Sequence, residues 1–340
     1  IFKIVQIGNF CMKAVLLEVS HWHFPLYIKD LLDGGIEVVG FSDKSEEIRA
    51  KYSKLFRCEG YNDWKETLGS CSYDIAFAFG EHAQMYTIAT SLLANGRPFS
   101  LEKPTGINSQ EVDALSKIAA DSGLLVGVPL VQRFGPLFAL LKYLTEEEGA
   151  IFQSSSWRFN AGPPNRYNKM YSHWMLKPES SGGGCLINLA PHFIDLALTF
   201  MPFEPDTVFS RIDNGLHETA VEDTATLIMT SKSGGQATVQ TGYNFPNSSI
   251  KREYSFSLSA KDHYVQSSQD GVTIIRSGKP PEFIKLNLDS DPLYGIYVQE
   301  FCQAVRNSGA FASDLNAMKA TMEIIDAAYK SASNGAAVSI

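Results

Sequence analysis

Three groups of residues have types and spacings suited to chemistry. Leu101-Glu102-Lys103-Pro104 sets a charged pair beside a proline, directly after an apolar run. A lysine held out of water donates to a substrate hydroxyl or carbonyl, and its pKa falls readily on desolvation. An ordinary surface Glu-Lys pair ahead of a turn proline has the same sequence. In Gly182-Gly183-Gly184-Cys185-Leu186-Ile187-Asn188-Leu189-Ala190-Pro191-His192, the amide and the imidazole stand four apart. On one helix they share a face, with Asp195 a turn beyond. An imidazole is the natural base for a hydroxyl proton near neutral pH, and the glycines let the helix start approach something closely. A lone histidine on an apolar helix is usually a core residue; Asn188 and the triple glycine favour a ligand role. Third comes Ser20-His21-Trp22-His23-Phe24-Pro25. Two histidines make an incomplete metal site, so no metal is expected.

The elements that must position these groups change character along the chain. From residue 13, short apolar runs at 13–19, 36–42, 74–79, 97–101 and 124–130 alternate with amphipathic segments, the signature of βαβ units and a parallel sheet. Such a sheet binds ligands beyond the carboxyl ends of its strands. The expected dinucleotide contacts are therefore Ser20, His21 and His23 after the first strand, Asp43 and Lys44 after the second, Gly80 and His82 after the third, and Glu102, Lys103 and Pro104 after the fourth. The first loop lacks the G-x-G-x-x-G of dinucleotide folds; phosphate is expected on backbone N–H groups at the helix start, helped by Ser20 or a histidine. Asp43 would accept from ribose hydroxyls and repel a 2′-phosphate, which favours NAD. Lys44 acts in the opposite sense and keeps NADP open, and a DK pair that merely caps the next helix reads the same.

After residue 131 the rhythm changes. A loop rich in Pro, Asn, Tyr and Gly (160–184) precedes a helix at about 185–200; runs alternating with period two follow, and two amphipathic helices placed to cover a sheet face end the chain. The fold class is α/β: a Rossmann-like parallel-sheet domain over 1–131, with 1–11 a possible N-terminal extension, then an α+β domain over 132–340 with a large, mostly antiparallel open sheet. Arg133, Trp157, Arg158, Asn165, Arg166, Tyr167, His173 and Trp174 are rich in donors and stacking surfaces suited to a hydroxylated or acidic compound. Equally, the aromatic residues would simply pack the domain junction.

Composition limits the partners. The 340 residues carry a net charge of -8 with no basic run, which leaves nucleic acid and anionic membranes without an electrostatic footprint. Five scattered cysteines never form C-x-x-C and argue against a disulfide framework. With no run of about 20 apolar residues and no leader pattern, a cytoplasmic location is expected.

Glu102-Lys103-Pro104, Gln132-Arg133-Phe134-Gly135-Pro136, Gly182-Gly183-Gly184 with Asn188, His192 and Asp195, Glu222-Asp223-Thr224-Ala225, and the closing Ala327-Ala328-Tyr329-Lys330-Ser331-Ala332 together resemble the glucose-fructose oxidoreductase / inositol dehydrogenase (Gfo/Idh/MocA) family. The resemblance runs from Lys13 to the end. It implies a Rossmann domain, a second domain whose sheet makes dimer or tetramer contacts, and NAD(P)-dependent hydride transfer at a carbinol carbon of a sugar, inositol or related polyol. It also implies that Lys103 bonds substrate and nicotinamide ribose, that His192 is the general acid/base, and that Asn188 stands where the family usually has aspartate. Substrate contacts are then Lys103, Arg133, Trp157, Tyr167, Trp174, Asn188 and His192. The alternative is a dinucleotide or sugar sensor of the same fold, catalytically weak or inactive.

Overall fold

The computed structural model describes residues 12–248 and 252–340, so the 1–11 extension lies outside the described residues. The βαβ rhythm forms a six-stranded parallel sheet: β1 (Met12–Leu17), β2 (Ile36–Ser42), β3 (Gly60–Tyr61), β4 (Ile75–Ala78), β5 (Phe99–Leu101) and β6 (Val126–Gly127), ordered β3-β2-β1-β4-β5-β6. The order reverses beside β1, where such sheets leave a crevice. Gly96 and Gly123 end the helices His82–Asn95 and Ser109–Ser122 in the left-handed conformation, as the sequence suggests. The short β3 and the helix Trp64–Ser70 carry too little periodicity to be seen in sequence.

The second sheet has nine strands: β7 (Ser154–Ala161), β8 (Thr207–Asp213), β9 (Thr224–Thr230), β10 (Gln236–Gly242), β11 (Arg252–Ser259), β12 (His263–Ser268), β13 (Gly271–Arg276), β14 (Glu282–Lys285) and β15 (Val338–Ser339). Their order is β14-β13-β12-β11-β7-β10-β9-β8-β15, antiparallel except for β7 beside β10. Trp157 lies on β7, whose alternate residues Ser155, Trp157, Phe159 and Ala161 are buried. Its indole packs between Phe193 and Phe256 and donates to Ser155 Oγ at 2.9 Å. Trp157 is therefore a core residue and not part of a substrate loop.

The C-terminal helices divide their work. Leu293–Asn307 returns to the first domain, where Tyr297 meets Ser100 (O···O 2.7 Å) and joins the core under Ala14, Leu16 and Phe77. Leu315–Asn334 packs against both the helix Ser109–Ser122 and β8. Among the described residues no single helix is long and apolar enough to cross a membrane.

Arg133 crosses between the domains and is fully engaged. Its Nε and Nη2 hold both oxygens of Asp195 (2.8 and 2.6 Å), and Nη1 donates to the Ala312 carbonyl. This fork leaves Arg133 no donor edge for substrate; Asp195, buried in the helix Pro191–Phe200, takes it up. Removing one partner strands a buried charge. Arg133→Ala should lose about 3–5 kcal/mol in urea unfolding, whereas Arg133→Met with Asp195→Leu should recover most of it; a single mutant within 1 kcal/mol of the parent would show the pair contributes little.

Candidate functional site

Lys103 follows β5 and is 2% exposed. Its Nζ reaches into the second domain and donates to the Asn188 carbonyl (2.6 Å) and Oδ1 (3.0 Å). An ammonium has only donors, so Oδ1 must face it and Nδ2 must point away. Nδ2 donates to the hydroxyls of Tyr167 (2.7 Å) and Tyr243 (3.1 Å). An amide thus accepts from a cation on one side and donates to two phenol oxygens on the other, whereas a carboxylate could only accept.

The helix expected at about 185–200 is broken. Pro191 starts a second segment, and Pro178–Leu189 and Pro191–Phe200 meet at 50°. Asn188 and His192 therefore do not share one straight helix face, yet both belong to the surroundings of Lys103. His192 is 4% exposed, and its Nδ1 has no hydrogen-bond partner among the described residues. Burial pushes the His192 pKa well below the ordinary range, with Lys103, His23 and Arg252 adding repulsion. Burial likewise pulls Lys103 down to about 8, against Glu102 and with Arg166. A neutral imidazole beside an ammonium poised near neutrality is a proton-handling pair.

The three glycines bring the helix Cys185–Leu189 close to protein, not to a ligand. A Cβ on Gly184 would stand 2.1 Å from the Glu222 carbonyl oxygen. Cys185 N donates to that carbonyl and Leu186 N to Glu222 Oε1. The Glu222-Asp223 segment is thus the cap of this helix.

On the first-domain side, His23 Nδ1 donates to Glu102 Oε1 (2.9 Å), and the Tyr27 hydroxyl donates to Oε2 (2.7 Å). His21 Nδ1 accepts from His23 N (3.1 Å). His21, His23 and Glu102 gather ligand atoms within 4.8 Å of one another. His23 Nδ1 and both Glu102 oxygens already serve hydrogen bonds; with Nδ1 accepting, the His21 proton sits on Nε2, which has no hydrogen-bond partner among the described residues. Burial holds both imidazoles well below their ordinary pKa.

The expected phosphate grip at the helix start is otherwise occupied. His23 N serves His21, Phe24 N serves the His21 carbonyl, and Leu26 N serves the His23 carbonyl. Asp43 uses Oδ2 for Ser20 N (2.6 Å) and Oδ1 for Ser45 N (2.9 Å), and lines a cavity of about 170 Å³ with Glu18, Ser20, Lys44 and Trp174. Segment 166–176 covers this crevice: Tyr171 donates to Glu47, and Ser172 Oγ to the Ser20 carbonyl. Trp174 packs on His21 and His82; the His82 Nδ1 binds the Ser181 carbonyl at 2.7 Å, and burial lowers its pKa to about 3. His82 is therefore a domain tie. Gly80 is a packing residue, since a Cβ there would stand 2.6 Å from Ile88. Pro104, joined to Lys103 by a cis peptide bond, is buried. His173 lines the 170 Å³ cavity, and Arg158 lies on the solvent face of β7.

Sequence reading missed Glu18, Tyr243 and Arg252, which no motif marks. Glu18 ends β1 with φ +59°, the conformation a glycine would adopt freely. Its Oε1 accepts from Ser42 Oγ (3.0 Å), and burial lifts its pKa to about 7. A folded-state pKa above the unfolded 4.5 means that stability is fully present below pH 4.5 and is lost as pH rises through 7. Glu18→Gln removes this loss. The mutant's stability relative to the parent should rise by about 3 kcal/mol between pH 4 and pH 8 in denaturant titrations; a pH-independent difference would place Glu18 in water.

Comparison with known proteins agrees with this architecture. Residues 147–260 match the GFO/IDH/MocA C-terminal domain. Trans-1,2-dihydrobenzene-1,2-diol dehydrogenase of Mus musculus is 24% identical over 208 residues, 60% of this chain and 59% of that protein. The Xenopus laevis enzyme of the same name is 23% identical over 195 residues, 57% of each chain. The alignments thus span less than two thirds of these relatives' length. Levoglucosan dehydrogenase, solved with NADH and levoglucosan, shares the fold at TM-score 0.84 and 15% identity, over 97% of this chain and 99% of that one. The family match thus covers the second domain over residues 147–260, and the fold likeness covers nearly the whole chain.

Proposed function

We propose that this chain is an NAD-dependent oxidoreductase that acts on a CH–OH carbon of a sugar, inositol or related polyol. One observation carries the reading: Lys103 of the first domain and His192 of the second are both buried, and the Lys103 charge helps burial hold the His192 pKa down. The relatives' names and the NADH-bound structural neighbour support the same chemistry.

The residues fit the ribose end of a dinucleotide. Asp43 stands at the carboxyl end of β2, and each of its oxygens keeps a lone pair beyond the bond it already accepts. Farther along the strand ends, His21 packs against Trp22 and Trp174, beneath the segment 166–176. A bound nicotinamide supplies the hydride acceptor. Lys103 orients the substrate hydroxyl by donating to its oxygen, and neutral His192 takes the hydroxyl proton as the C–H bond breaks. Asn188 holds Lys103 and cannot itself carry a proton.

That aromatic packing and Asn188 favour a second reading, a sensor that binds dinucleotide without turnover. We also assign homo-oligomer contacts to the open face of the second sheet, where Phe209, Tyr264, Ile275 and Phe283 are exposed.

NADH fluorescence titration and a polyol screen at 340 nm separate the readings. The enzyme reading expects turnover that His192→Ala lowers about 10²–10⁴-fold with NADH affinity unchanged; NADH binding without turnover on any polyol or sugar acid would favour the sensor. Asp43→Ala should weaken NAD at least about tenfold more than NADP, as expected from a lost charge-assisted hydrogen bond. Equal losses would remove Asp43 from the cofactor site.

A further inference from the structure

Trp22 also borders a second space. A cavity of about 370 Å³ lies between the start of the first helix and the 162–170 and 246–248 loops, lined among others by Trp22, Pro25, Arg166, Lys169, Met170 and Arg252. Its volume is that of a small-molecule site, typically about 300–1,000 Å³. Among the described residues three cations belong to its lining, and Asp291 is the single carboxylate there. Arg252 is committed to Asp291, whose two oxygens it holds with both Nη atoms. The excess positive charge therefore belongs to Arg166 and Lys169.

Two donors on this wall have no hydrogen-bond partner among the described residues: Arg166 Nε and Trp22 Nε1, both sealed from solvent. A buried donor left unmade costs about 1–3 kcal/mol, more if it is charged. The cavity is also coupled to the proton-handling cluster. Arg166 Nη2 donates to the Tyr167 hydroxyl (2.8 Å), which accepts from Asn188 Nδ2, while Asn188 Oδ1 accepts from Lys103. The Trp22 ring has the Arg166 guanidinium carbon and Lys103 Nζ each 5.7 Å from its centroid. Arg166 and Lys103 thus meet the same indole.

We propose that this cavity binds the carboxylate of a hydroxy acid of monosaccharide size, which makes the substrate class sugar acids and not neutral polyols. A carboxylate offers two acceptor oxygens and one charge, matched to a guanidinium edge and an indole N–H. A phosphate dianion calls for a further free cation, and Arg252 is already committed. The chemistry rests on the oxidoreductase reading above; the binding does not.

The test is calorimetric titration of the full chain, with and without NADH, using matched pairs: gluconate with sorbitol, glucuronate with glucose, galacturonate with galactose, and glucose 6-phosphate as the phosphate arm. At least one acid should bind tenfold or more tighter than its neutral partner. Arg166→Gln should erase that preference and Arg166→Lys should keep part of it. The proposal is overturned if neutral partners bind as well as every acid, if glucose 6-phosphate binds tighter than every acid, if no acid binds, or if a folded Arg166→Gln keeps the preference. Should Arg166→Gln not fold, the wild-type pairs and Arg166→Lys decide. Acid binding without NADH binding would defeat the oxidoreductase reading and leave this one standing; NADH-linked turnover of neutral polyols alone would do the reverse.

Discussion

One ammonium group ties the two halves of this molecule together. Lys103 Nζ leaves the end of β5, crosses the domain boundary and gives two hydrogen bonds to a single residue, Asn188. Burying a cation is costly unless it is bonded and faces negative charge. Glu102 supplies that charge from the same loop, and itself needs His23 and Tyr27 as donors. Tyr294, on a helix returning from the C-terminal half, packs against His23. Each requirement calls in the next element, so one charge fixes the first loop, the fourth crossover, the Asn188 helix and the Leu293–Asn307 helix relative to one another.

That constraint also explains how the first loop differs from a glycine-rich one. A glycine loop leaves room for phosphate; Ser20 to Phe24 uses its backbone and imidazoles internally and sets Trp22 beside Lys103. The indole separates the proton-handling cluster from the Arg166 cavity. Asp43, by accepting from Ser20 N, anchors the same loop to the end of β2. The order of this loop is therefore coupled to Asp43.

Much of this was legible in the sequence. Parallel strands and the helix ends at Gly96 and Gly123 follow from local periodicity and capping. What was not legible was long-range. Arg133 reads as a substrate contact until Asp195 is seen to occupy its fork. Trp157 reads as a loop aromatic because the alternation of β7 is masked by serines. The 50° break at Pro191 was visible as a proline, but an apolar run on both sides hid it. Tyr243, Glu18 and Arg252 carry no motif; only folding brings Tyr243 to Asn188, Arg252 to the surroundings of His192 and Glu18 to the Asp43 crevice.

The central claim is that Lys103 is a buried, partly discharged ammonium held by Asn188. An NMR titration of the intact protein with ¹³Cε-labelled lysine tests it most directly. One resonance, absent from Lys103→Arg, should titrate near 8, about two units below an ordinary lysine. A spectrum in which every lysine titrates near 10.4 would contradict the account.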